Sequence, residues 1–260
     1  HGCLVGSEMC IRDRLIIANN EEKQLKQCIE TVKFADEIVI ILDKCKDKSK
    51  LIAKKYTNKI YEGSWDIEGE RRNFGIQKCS GKWILEIDAD ERVPNDLKKE
   101  IINVVKSSKS DWHLVNVKNF LGKKIVRFGW GCYIGKSSYA GLFKKNSKIW
   151  GMQRVHPEIL LKGKKGETLK KKLLHYYCKS IFDLFEKLNS YSTARARDLK
   201  DNKNNESFIK NFRRIFSRFW KCYVLRKGYK EKELGLAIAI SASLYPCLLY
   251  TSPSPRDNRV

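Results

Sequence analysis

Between Lys82 and Pro94 the chain reads KWILEIDADERVP. An apolar run stops abruptly at three acids in four positions, Asp88, Asp90 and Glu91. Residues i and i+2 of an extended chain share a face. Two carboxylates so placed can bind one hard divalent cation, Mg2+ or Mn2+, which in turn clamps a diphosphate. The same acids can instead cap a helix that starts near Pro94. Their place at the end of a strand-like run, with Asp43 ending an earlier run, favours the cation.

Asp43, in ILDKCKDKS, can accept hydrogen bonds from a base or a ribose, or it can cap the helix that follows, as Asp47 equally can. Arg72-Asn73 lies one helix before the Asp88 strand. Arginine suits bidentate contact with phosphate, although an exposed basic pair is ordinary in a chain this rich in them. In His156-Pro157-Glu158 the histidine is a candidate metal ligand or phosphate partner. The glutamate is a candidate general base for an acceptor hydroxyl within reach. A polar turn after Trp150-Gly151 is the other reading.

The elements that must position these residues alternate. Residues 15–18 and 37–42 are short apolar runs, 59–62 a weaker one, and 82–88 the strand of the opening stretch. Between them, 21–35, 47–56 and 67–79 carry helical spacing, clearest at Leu25, Cys28, Ile29 and Val32. Strands alternating with short helices predict βαβ units, hence an α/β protein with a mostly parallel sheet sandwiched by helices. Ligands of such sheets sit outside the carboxyl ends of the strands. Asn19-Asn20, Asp43 and the Asp88/Asp90 pair all fall at such ends. From 112 to 178 the pattern is less regular. Residues 112–121, 137–146 and 156–163 read as strands, and the glycine- and aromatic-rich 127–135 as a loop. The last third is helical. One stripe is Ile181, Leu184, Phe185, Leu188 and Tyr191. A second is Phe208, Phe212, Ile215, Phe216, Phe219, Trp220 and Tyr223, with Lys210, Arg213, Arg214, Arg218, Lys221, Arg226 and Lys227 on the opposite face. The apolar segment 234–246 is shorter than the ~20 residues a membrane-spanning helix needs.

With 53 basic and 30 acidic residues among 260, the net charge is +23. An anionic partner follows: nucleic acid, anionic lipid or a phosphorylated ligand. A general lysine bias gives the same excess. The nine cysteines form no CxxC pair, so neither a zinc site nor a redox motif is indicated, and a reducing cytoplasm is the simplest setting. Residues 5–14 and 248–257 resemble translated adapter sequence. The expected organisation is therefore 1–14 non-native, 15–178 the α/β domain, 179–246 an amphipathic helical region and 247–260 non-native. The basic helix at 205–232 fits a membrane surface and fits equally a helix packed on the domain with a solvated basic face.

The blocks IIANNEEKQLKQCIETVKFADEIVIILDKCKDKSKLIAKKY, GERRNFGIQKCSGKWILEIDADERV and LFKKNSKIWGMQRVHPEILLKG resemble glycosyltransferase family 2. Within it, they resemble the bacterial lipopolysaccharide core transferases of the β-1,4-glucosyltransferase type. The resemblance covers about residues 15–245. It implies a GT-A nucleotide-diphospho-sugar transferase fold with a C-terminal helical extension, and an inverting mechanism dependent on a divalent metal held by the DxD. Carried over by position, Asp90 is the principal metal ligand, with Asp88 at the ribose or metal, and the second-half histidine motif falls on His156. Asp43 contacts the base or ribose. Arg72, Asn73 and the turn of Ala18, Asn20 and Glu22 surround the nucleotide sugar. Glu158 is the base and Glu91 its competitor. Ala18-Asn19 stand where the family often has threonine and a basic or aromatic residue. Lys44 and Lys46 stand where it has small or hydroxyl side chains.

The expected activity is transfer of a sugar from a nucleotide sugar, most simply a UDP-sugar, to a lipid-linked saccharide acceptor such as lipopolysaccharide core. It would take place in the cytoplasm, at the anionic inner face of the membrane. Transferases for capsule, exopolysaccharide or protein glycosylation share the pattern. A nucleic-acid-binding protein is the rival that the charge raises. No binding motif supports it, and acids at the strand ends repel phosphates in the absence of a metal.

Overall fold

The computed structural model describes residues 12–129, 136–201 and 207–251. Most of both unusual ends, and residues 130–135 of the glycine-rich loop, lie outside them. In chain order the elements are β1 (Arg12–Ala18), α1 (Leu25–Val32), β2 (Glu37–Asp43), α2 (Ser49–Ala53), β3 (Ile60–Gly63), α3 (Glu68–Lys78), β4 (Trp83–Asp88), β5 (Glu91–Arg92) and α4 (Asn95–Ser107). Then follow β6 (Trp112–Leu121), β7 (Lys124–Val126), β8 (Ser138–Lys144), β9 (Lys148–Trp150), β10 (Ile159–Leu161), β11 (Leu169–Cys178), α5 (Ile181–Asp201), α6 (Phe208–Trp220) and α7 (Glu233–Thr251). The chain divides into two compact units, 1–116 with 138–152 and 157–174, and 117–137 with 153–156 and 175–260.

The main sheet, most of it in the first unit, has the strand order β3-β2-β1-β4-β8-β6-β11-β5. The first four strands are mutually parallel, with β1 between β2 and β4. β8 then runs antiparallel to β4, and β6 antiparallel to β8. β1, β2 and β4 are β-branched and leucine-rich because both of their faces are covered. One face packs Ile16, Ile40, Leu42, Leu85 and Ile87 against the α1 stripe of Leu25, Cys28, Ile29 and Val32. The other packs Leu15, Ile17, Val39, Ile41 and Ile84 against Ile76 and Cys79 at the end of α3. β1 starts at Arg12, and Asp13 and Arg14 are fully buried in it. Asp13 accepts the Gly81 N–H at 2.6 Å.

The second unit is mainly helical. Its core joins Leu121, Val126, Cys178, Leu184, Cys222, Leu234, Ile238, Ala239 and Ala242. Small residues on α7 let the other helices approach it closely. Here the structure departs from the sequence stripes. On α5 the buried positions are Leu184, Leu188, Ser192 and Asp198, whereas Ile181 and Phe185 are exposed. On α6 the single stripe splits. Phe219, and Tyr223 just beyond the helix end, turn inward onto the core, while Phe212, Phe216 and Trp220 face solvent. At 100° per residue, seven apolar positions span more of the helix than one contact face can cover. No described helix is long and apolar enough to cross a membrane.

Candidate active site

The parallel strands deliver their carboxyl ends to one edge, and β1 stands at its middle. In the β-ladder Ala18 lies opposite Leu42 on one side and Ile17 opposite Asp88 on the other. Asp43 and Asp88 therefore flank the end of β1. Asp43 is buried, and both of its carboxylate oxygens are engaged. Oδ1 accepts the Trp65 N–H at 3.0 Å, and Oδ2 pairs with the Arg71 guanidinium at 2.6 Å. It does not cap α2, whose N-cap is Lys48. The capping carboxylate there is Asp47, which takes the Ser49 N–H at 3.0 Å and ties down the Glu22 N–H at 2.8 Å.

Asp88 is the last residue of β4 and partly exposed. The chain does not continue extended through the DxD as the alternation of an extended chain predicts. Ala89 and Asp90 form a turn, because the buried Glu91 carboxylate reaches back to the Asp88 N–H at 2.9 Å. Nor do these acids cap the next helix: α4 begins at Asn95 behind Pro94, with no side-chain cap. Arg92 clasps the turn from below, donating to the carbonyls of Ala89 (2.8 Å), Glu91 (2.7 Å) and Gln24 (3.0 Å). Asp90 is 9% exposed at the turn, and Glu91 is wholly buried with Tyr139 Oη 3.3 Å from Oε2.

Arg72 is the hub beside Asp88. Its Nε donates to Glu68 at 2.8 Å, and its NH1 lies 2.8 Å from Glu86 and 3.2 Å from Asp88. Its guanidinium also stacks 4.7 Å from the Trp150 ring centroid. Burial alone lowers the arginine's proton affinity, but Asp88, Glu68 and Glu86 together raise its pKa well above the ordinary value. Glu86 is fully buried in β4, and burial pushes its carboxyl up. The pull of Lys148 (2.8 Å) and Arg72 overcomes this and leaves the pKa lowered. Trp150 Nε1 adds a third donor to Glu86 at 3.2 Å. Tyr139, hydrogen-bonded to the Glu86 carbonyl at 2.8 Å, has its phenol raised by burial and by Glu91, Asp88 and Glu86, so it stays a neutral donor.

Asn73 joins this structure differently. Its amide makes a two-way bond with the Trp150 backbone, at 2.8 and 2.9 Å, which pins β9 onto α3. Ala18 is buried at the strand end. Exposed Asn20 has a left-handed φ of 53° and accepts the Lys46 N–H at 2.8 Å. Glu22 accepts the Lys48 N–H at 3.0 Å. Asn20 and Glu22 thus knit the loop after β1 to the loop after β2. Glu158 is exposed, and its carbonyl accepts the Gly151 N–H at 2.8 Å. The division between units falls between His156 and Pro157. His156, exposed with φ 51°, belongs to the second unit, where its ring lies tilted 5.8 Å from that of Tyr191.

Sequence reasoning did not single out Arg71, Glu86, Lys148 or Tyr139. The signal for Glu86 was available: an acid at an inward position of an apolar strand must find a buried cation. The partner, 62 residues away, had no local signature. A hard cation fits the donor set. Asp88 offers a partly exposed carboxylate at the edge and Asp90 another two residues on, both oxygen ligands. Three carboxylates, Glu68, Glu86 and Asp88, also surround Arg72, leaving negative charge in excess there. Among the described residues no three His, Cys, Asp or Glu side chains converge as a cage. Such an ion would therefore complete its shell with phosphate oxygens and water. A shallow cavity of about 380 Å³ opens elsewhere, lined by Glu30, Phe34, Pro94 and Lys98 among others, and takes no part in this edge.

A parallel α/β half flanked by an antiparallel half in one sheet is the GT-A fold. The solved structure of S. aureus TarS 1–349 in complex with UDP-GlcNAc shares this fold. Its TM-score is 0.50 at 13% identity, over 92% of this chain and 90% of that one. Residues 15–127 match the model of glycosyl transferase family 2. The chain is 25% identical over 262 residues to the lipopolysaccharide core biosynthesis glycosyltransferase LpsC of Rhizobium meliloti (strain 1021), covering 88% of this chain and 90% of that protein. An uncharacterized glycosyltransferase of Rickettsia bellii (strain RML369-C) is 25% identical over 82% of this chain and 76% of its own length.

Proposed function

We propose that the protein transfers a sugar from a UDP-sugar to a lipid-linked saccharide acceptor of the lipopolysaccharide core type, with inversion at the anomeric carbon, at the inner face of the cytoplasmic membrane. The observation that carries the donor reading is the placement of Asp43 and Asp88 on either side of the β1 end, each held by a neighbouring arginine of α3. The UDP-GlcNAc bound by TarS and the name of the LpsC relative support the donor and the acceptor class respectively.

In this reading Asp43 orients the base or ribose, fixed by Trp65 N–H and Arg71 so that it need not reorganise on binding. Asp88 and Asp90 would hold the divalent cation. That ion, when bound, supplies positive charge for the departing diphosphate. Arg72 holds Asp88 in place. Glu158 takes the proton from the acceptor hydroxyl. That oxygen bonds to the anomeric carbon as the bond from that carbon to the diphosphate oxygen breaks, and UDP leaves with the electron pair. Glu158 suits the role better than Glu91, because it is exposed to an arriving acceptor. Glu91 is buried and already holds the Asp88 N–H.

The test is UDP binding by calorimetry with and without Mn2+, on the wild type and on Asp90→Ala. Metal-dependent binding that weakens at least about tenfold in the variant, the loss of one charged ligand, is expected. Metal-independent DNA binding with no affinity for UDP overturns the reading.

A further inference from the structure

The outward half of α6 is an apolar ridge. Ile209 is 77% exposed, Phe212 53%, Phe216 63% and Trp220 58%. They follow one another at three- and four-residue steps, so they form one row about 16 Å long. Phe212 and Phe216 pack edge-to-face with centroids 5.3 Å apart, which stiffens the row. The helix already has its tertiary contact on the other side. There Asn211 is buried and Arg218 lies over the Tyr245 ring of α7 at 5.2 Å, while Phe219 packs on the core. The ridge is therefore not a core face waiting to be covered by its own unit. Contiguous apolar surface rimmed by polar groups marks an interaction site.

The charge beside the ridge selects the occupant. Exposed Lys210, Arg213 and Lys221 border it. From 207 to 230 the sequence holds eight basic residues and no acid. A second copy would bring the same positive field against itself. A bilayer interface offers apolar depth for the Ile and Phe side chains, a headgroup level suited to Trp, and anionic phosphates for the flanking cations.

We infer that α6 lies in the plane of an anionic bilayer, with Ile209, Phe212, Phe216 and Trp220 inserted below the headgroups and Lys210, Arg213 and Lys221 at the phosphates. The inference deepens the membrane side of the proposed function. It takes the membrane-surface reading of residues 205–232 and assigns the apolar row, with the charges, to the lipid.

The experiment uses the full chain and vesicles of phosphatidylcholine with and without phosphatidylglycerol. Wild type should co-sediment with the anionic vesicles. Phe216→Ser/Trp220→Ser should partition roughly tenfold or more weakly, with UDP affinity and thermal midpoint unchanged. Arg213→Gln should weaken partition by roughly fivefold. In the wild type, brominated acyl chains should quench fluorescence that Trp220→Phe removes, a readout independent of the loss variants' folding. Equal binding by the ridge variant, or no binding by wild type, overturns the inference. So does a ridge variant that changes only the oligomeric state, since a second copy then covers the row. Vesicle binding through the ridge without any UDP affinity would sink the transferase reading and leave this one standing.

Discussion

Asp43 and Glu86 are both buried acids answered by cations, but they sit in different places and should fail differently. Asp43 lies at the edge and holds Arg71 and Trp65 in position. In Asp43→Asn the amide keeps one acceptor and loses the charge. UDP affinity should fall by roughly 1.5–3 kcal/mol, the worth of a charge-assisted contact, with a small change in melting temperature. Calorimetric titration checks the first and thermal unfolding the second. Glu86 lies beneath the edge, and its loss of partner is a folding matter. Lys148→Met leaves the carboxylate with Arg72 and Trp150 alone and should destabilise by about 3–5 kcal/mol. Adding Glu86→Gln should recover part of this. The sign with pH follows from the lowered pKa of Glu86 in the fold. A depressed carboxyl contributes stability that is present above its unfolded value and lost as pH falls through the folded one. The deficit of Lys148→Met should thus be largest near neutrality and shrink in acid, where Glu86 is protonated in either protein. Urea unfolding at the two pH values measures it. A deficit that is flat with pH would assign the loss to packing around Trp150 instead.

Among the elements, α3 does the positioning. It crosses from β3 to β4 and sends Arg71 to Asp43, Arg72 to Glu86 and Asp88, and Asn73 to the Trp150 backbone. Consecutive residues of a helix point about 100° apart, so three neighbours can reach two strand ends and a hairpin only if the helix sits very close. Two glycines allow it. A Cβ on Gly69 would stand 1.7 Å from the Gly151 carbonyl oxygen, and one on Gly75 would stand 2.7 Å from a Leu15 methyl. Alanine favours a helix over glycine by about 1 kcal/mol, yet Gly69→Ala should destabilise by roughly 1–3 kcal/mol, because backbone must move. Gly75→Ala should cost less, since a side-chain end can shift. Parallel thermal melts of the two decide this, and equal or reversed costs would remove the close-contact argument. The same helix shows what the sequence could tell. β1, β2, β4, α1 and α3 were legible because both-face burial and the 3.6-residue period are local patterns. Asp43 and Asp88 were legible because strand ends are. Arg71 and Lys148 were not, because what defines them is a partner 28 or 62 residues away. The turn at Ala89-Asp90 was missed because the carboxylate that makes it, Glu91, reads as one more acid in the motif. The β11 strand, with its run of three lysines, lacked a clean alternation.

At the scale of the whole molecule, the chain carries a net charge of +23, while the carboxyl edge of its parallel strands presents Asp43, Asp88 and Asp90. These two facts pull a nucleotide sugar in opposite directions. The diphosphate is attracted from a distance by the general basic field, and repelled at contact by Asp88 and Asp90 until a cation intervenes. Long-range attraction between exposed charges is screened within about 10 Å at 0.1 M salt, whereas a contact to a partly buried group is screened much less. UDP affinity at saturating Mn2+ should therefore weaken by about tenfold between roughly 0.05 and 0.5 M NaCl, chiefly through a slower association rate. Uridine, which presents the same base and ribose to Asp43 without the diphosphate, should bind with an affinity nearly independent of salt. Stopped-flow titration of both ligands separates the two contributions. If uridine weakens as steeply as UDP, salt is acting on the fold or on Asp43 itself. If neither weakens, the basic excess is a property of composition that the donor does not feel.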